Sequence, residues 1–154
     1  EIVKELHSLL IKMIPNSFDK ELLASKLGIS ICLIDKLDKE IQVCSLMQSL
    51  IVFSNEALEL VQGFEEKDDK QVGTLVHRKF PIKPDMCLYM FTNGFIEQSC
   101  KDDIFDFMKN KLSELYHNST MIFVEQKKEF HDVFMEWKGE NEQVDDILFI
   151  GLKI

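Results

Sequence analysis

Apolar residues Ile2, Leu6, Leu9, Leu10, Met13 and Ile14 recur three and four positions apart at the start of the chain. That spacing places them on one face of a helix over residues 1–14, which Pro15 ends. Asp19 to Leu27 is a weaker helical stretch. The period then changes. Ile29 to Asp35 is apolar and β-branched and predicts a strand, Lys36-Leu37-Asp38-Lys39 predicts a tight turn, and Glu40 to Leu46 predicts the hairpin partner. Leu50 to Phe53 and Ala57 to Val61 flank Ser54-Asn55-Glu56 as a second hairpin. Gly63 to Gly73 is charged and bounded by glycine, which predicts an exposed loop. Thr74 to Phe80 alternates as a strand, Pro81 to Asp85 turns the chain, and Met86 to Phe91 is apolar throughout, as in a central strand buried on both faces. Helical spacing resumes after Gly94. Ile104, Phe105, Phe107, Met108, Leu112, Leu115 and Tyr116 predict a helix over residues 101–117. Asn118-Ser119-Thr120 caps a following helix that carries Ile122, Phe123, Phe130, Val133, Phe134 and Trp137 inward and ends at Gly139. Ile147 to Ile154 closes the chain as a strand. Strands joined mostly by hairpins make antiparallel sheets, so the class is α+β.

Composition narrows the function. The chain has 154 residues, 45% hydrophobic and 29% charged, enough for one domain with a substantial core. No internal repeat or linker divides it. No apolar run approaches the roughly 20 residues of a membrane helix, and Glu1-Ile2-Val3-Lys4 is no signal peptide. The chain begins inside a helical pattern, as a fragment would. A net charge of −9 argues against nucleic acid and against anionic membranes, both of which are bound through Lys and Arg. Cys32, Cys44, Cys87 and Cys100 form no CxxC pair, so free thiols in a reducing cytoplasm are expected. His7, His77, His117 and His131 are scattered, with His77 on the outward face of its strand. Met86, Met90, Met108, Met121 and Met135 read as core filler.

Two stretches carry possible chemistry. Asp145 and Asp146 stand at the mouth of the last strand. Adjacent carboxylates repel, and a hard cation of the Mg, Mn or Ca type relieves that repulsion; a solvated turn is the plainer alternative. The second stretch is Phe91-Thr92-Asn93-Gly94, where a buried strand ends and Gly94 lets the backbone turn. If the last strand pairs near it, Asn93 and Asp145 converge from separate strand ends.

These residues resemble the SpoIIE-like branch of the PPM family of metal-dependent serine phosphatases. The likeness lies in Pro84-Asp85, the strand to Phe91, Thr92-Asn93-Gly94 and Glu97-Gln98, then in Trp137-Lys138-Gly139, Gln143 and Asp145-Asp146 before the last strand. Glu1 to Met13 resembles the helix after the family's first motif, and Gly28 to Asp35 the strand beyond it. The resemblance implies a sandwich of two antiparallel sheets flanked by helices, here lacking the N-terminal strands. It implies a site for two Mn²⁺ or Mg²⁺ ions that activate water against a phosphoserine, with an anti-sigma-factor-antagonist-like phosphoprotein as substrate. Asp145, with Asp146 beside it, falls on a metal-binding Asp, and Asn93 falls where the family has another.

Three departures stand out. Asn93 offers a carbonyl oxygen but no charge. The family's first motif, with its bridging aspartate, is absent and would precede Glu1. Leu46, Met47 and Gln48 are bulkier than the small residues and Asn-Pro common there. The residues favour a degenerate domain, a pseudophosphatase that binds or regulates a partner. An active Mn/Mg-dependent phosphatase with its first motif upstream, and an interaction module unrelated to catalysis, are the alternatives. Uncovered sheet edges would also permit a homodimer.

Overall fold

The computed structural model describes residues 1–20, 23, 27–54, 57–67, 70–98, 110, 114 and 123–154. Helix α1 (Ile2–Met13) leads into strands β1 (Ile29–Asp35), β2 (Glu40–Leu46), β3 (Ser49–Ser54), β4 (Ala57–Gln62), β5 (Phe64–Lys67), β6 (Lys70–Gly73), β7 (Val76–Pro81) and β8 (Cys87–Phe91). A short helix α2 (Asn93–Glu97), a long helix α3 (Phe123–Lys138) and strand β9 (Phe149–Lys153) complete the order. The helix expected over residues 101–117 and its neighbour's cap at Asn118 lie outside the described residues, as does Cys100.

The strands form two antiparallel sheets, β1-β2-β7 and β4-β3-β8-β9, and a ribbon, β5-β6. The first hairpin closes as its sequence predicts. Asp35 Oδ1 accepts the N–H of Leu37 at 2.9 Å and of Asp38 at 3.0 Å, an Asx turn that fixes the register Asp35↔Glu40. The ribbon corrects the loop expected between the glycines: Phe64 pairs with Gly73 and Lys67 with Lys70. Charge made that stretch look irregular, but the pairing is made by backbone groups that charge does not report.

Strand period 2 explains the core. Ile41 and Val43 of one sheet face Leu50, Val52, Val61, Met86 and Leu88 of the other, and all are buried. The intervening residues Ile51, Phe53, Cys87, Tyr89 and Phe91 point to the opposite side, where they pack with Phe95, Phe130, Val133 and Trp137. The four-stranded sheet is therefore covered twice, by the other sheet and by α3. This is why β3 and β8 lack polar alternation. Gly139 follows α3 with a φ of 52°, the left-handed residue that stops a helix.

Two expectations need correcting. None of the apolar stripe on α1 is buried: Ile2, Leu6, Leu9, Leu10 and Met13 are exposed although α1 lies against β1 and β2, and the buried residue is Val3, off that stripe. Met135 also points outward: it lies two residues before Trp137, about 200° around the helix from that core side chain. Cys32, Cys44 and Cys87 are free thiols within strands, but only Cys87 is buried.

Candidate functional site

The site lies at the end of β8. Strand β9 pairs antiparallel with β8, from Cys87↔Lys153 to Phe91↔Phe149. The segment that feeds β9 must therefore pass the end of β8, where Thr92, Asn93 and Gly94 stand. Thr92 donates its N–H to Leu148 O at 3.0 Å, and its hydroxyl donates to Asp146 O and accepts from Leu148 N, both at 2.9 Å. Asn93 opens α2, so it is the first residue of a helical turn rather than part of a loop. Gly94 lies hard against the acidic segment: a Cβ there would be 2.6 Å from Asp146 O and 3.1 Å from the Asp145 Cβ. The structure thus brings the Asn93-Gly94 corner and Asp145 together.

The acidic segment is held by its own neighbours. Asp145 Oδ1 accepts the N–H of Asp146 at 2.7 Å, and Gln143 Nε2 donates to Asp145 O at 2.7 Å. Below it, the buried amide of Gln98 donates to Glu142 O at 3.2 Å and accepts from Val144 N at 2.9 Å. Both aspartates remain exposed.

A second amide reaches the same end of the sandwich. Gln48 Nε2 donates to Phe91 O. The turn that carries it is tight: Met47 has a φ of 55°, Met47 N donates to Gly63 O at 2.7 Å, and Gly63 N donates to Gln48 O at 2.9 Å. A Cβ at Gly63 would meet the backbone of Ser45, Leu46 and Gln48 within 2.9 Å. The bulky Leu46-Met47-Gln48 turn is accommodated because glycine faces it. The sequence singled out Gln98 by family likeness and Gln48 as a departure, but not the bonds they make, because each reaches backbone groups far away in sequence.

The donor set decides what cation the site suits. Asp145 and Asp146 supply carboxylates and Asn93 a neutral amide. Among the described residues no group of three or more His, Cys, Asp or Glu is placed to hold a metal ion. Two divalent cations need several anionic oxygens around them, with at least one bridging. The described residues do not fit a two-metal centre, and no catalytic step is assigned to one. His77 lies exposed on β7 and His131 exposed on α3, while His117 is outside the described residues.

A groove of about 620 Å³ lies between α3 and the β9 segment, lined by Tyr89, Phe130, Phe134 and Phe149 together with Lys127 and His131. Burial pushes the Tyr89 phenol well above its ordinary value, with the neighbouring Cys87 adding to the shift. Burial likewise raises the thiols of Cys32 and Cys87. These are core groups kept protonated, not activated nucleophiles.

No family model and no curated protein sequence matches the chain. Solved structures do. The phosphatase domain of the cell fate determinant SpoIIE from Bacillus subtilis (Mn presoaked) superposes with a TM-score of 0.64 at 15% identity, over 96% of this chain and 73% of that one. The chain has the PPM (PP2C-type) phosphatase fold. The SiaA-PP2C domain of Pseudomonas aeruginosa agrees, with a TM-score of 0.69 at 18% identity over 99% of this chain and 59% of that one. The PPM-fold chain therefore spans about three-quarters of the SpoIIE domain and under two-thirds of the SiaA domain. Among its described residues, no helix is long and apolar enough to cross a membrane.

Proposed function

We propose that residues 1–154 are part of one PPM-fold signalling domain that has lost the two-metal reaction and acts by binding or regulating a partner protein in the cytoplasm. What supports this is the neutral Asn93, next in sequence to the Gly94 that abuts Asp145, with no cluster of three ligating side chains among the described residues. Losing one anionic ligand from a compact dication site removes much of the attraction that offsets dehydration of the ions. The partner is a phosphoprotein of the anti-sigma-factor-antagonist type. Self-association belongs to the same proposal, because β9 is an edge strand with Ile150 and Leu152 exposed and Leu148 exposed just before it; sedimentation velocity reads it.

The test is a Mn²⁺ titration followed by thermal melting and by p-nitrophenyl phosphate turnover. A cation at 100 times its Kd would stabilise the fold by about 2.7 kcal/mol. The expected result is an unchanged Tm and no turnover. A metal-linked rise in Tm together with turnover would establish the alternative, an active Mn/Mg-dependent phosphatase whose first metal motif lies upstream.

A further inference from the structure

Gln98 is 4% exposed, and both ends of its amide are used by the acidic segment. The bonds to Glu142 O and Val144 N cross 44 and 46 positions of sequence. Thr92 binds the same segment further on, at Asp146 O and Leu148 N. Residues 142–148 are thus pinned to the end of β8 and to the residue that follows α2, on both sides of Asp145. That segment carries two adjacent carboxylates, whose repulsion works against one fixed arrangement. In a cation-filled site the ions themselves would tie the strand ends together.

We propose that Gln98 supplies that cross-link here: it is a positioning residue that holds the Asp145 segment against the Asn93-Gly94 corner without needing a cation. Its significance rests on the proposed loss of the two-metal reaction, though its geometry does not. A carboxamide suits the task because it donates and accepts at once. A glutamate at this position keeps an acceptor for Val144 N but has no proton for Glu142 O. A methionine of similar length offers neither. The consequence is a surface at Asn93, Asp145 and Asp146 that is already formed when a partner arrives.

Amide hydrogen exchange on the wild-type chain, Gln98→Glu and Gln98→Met, each with and without Mn²⁺, tests this. In the wild type the Val144 amide is expected to be protected equally in both conditions. In Gln98→Met it should exchange roughly tenfold to a hundredfold faster, with Gln98→Glu between, while the amides of Ile51 and Val52 in β3 keep their protection. Unchanged exchange at Val144 in Gln98→Met would overturn the proposal. So would equal acceleration at Ile51 and Val52, which marks general loosening of the fold, or Mn²⁺ protecting the wild-type segment. Phosphatase turnover alongside the expected exchange pattern would overturn the proposed loss of catalysis and leave the role of Gln98 standing.

Discussion

At Gly94 the chain leaves β8 with no room for a side chain. A methyl group there would meet Asp146 O at 2.6 Å, a backbone atom that cannot swing away. Gly94→Ala is expected to destabilise the fold by about 1–3 kcal/mol, read from urea denaturation. Thr92→Val keeps the shape and removes one hydroxyl with two partners, Asp146 O and Leu148 N. It should cost about 1–3 kcal/mol, seen as a lower urea midpoint at constant slope. That the corner after β8 approaches the Asp145-Asp146 segment was legible in the sequence, because Thr-Asn-Gly ends a strand and Asp-Asp precedes one; the structure shows the contact at Gly94. The amides that hold that contact in place were not legible. Gln98 and Gln48 bind carbonyl and N–H groups, which every residue possesses, so no residue pattern marks their partners.

Among the elements, α3 shows how far periodicity reaches. Phe130, Val133 and Trp137 follow the three-and-four spacing and all are buried. The Trp137 ring lies 5.3 Å from that of Phe95, tilted by 58°, and the Phe95 ring lies 5.1 Å from that of Phe149 in β9. Trp137→Ala therefore opens the layer that joins α3, α2 and β9, and is expected to cost about 3–5 kcal/mol, measured by thermal or chemical unfolding. On α1 the same kind of spacing predicted a helix correctly but not its burial. A stripe of leucines marks which face is apolar; it does not mark what covers it. The β5-β6 ribbon failed in the opposite way. Glu65, Glu66 and Lys70 resemble a loop by composition, yet their backbone pairs as a hairpin, since pairing is made by groups that composition does not record.

For the whole molecule, the protonated core groups set a pH dependence. Tyr89 has an ordinary value of 10.0 and the thiols of Cys32 and Cys87 one of 9.0, and all three are raised in the folded state. Below pH 9 both states hold these protons, and the stabilisation is fully present. Above it the unfolded chain releases protons that the native state retains, so stability falls as pH rises. Melting temperatures measured from about pH 8 to about pH 10.5 should decline, and Tyr89→Phe should reduce the decline. The topology also has a bearing on biosynthesis. Thr92 finds its hydroxyl partners 54 and 56 positions later, and β8 gains its outer neighbour only in β9. A ribosome that has finished β8 has therefore made Asn93 but not its surroundings. Until Phe149 to Lys153 have been made, Tyr89 and Phe91 lack the Phe149 ring that packs on both, and the β8 edge that β9 will pair with stays open, a strand edge exposed to wrong partners during synthesis.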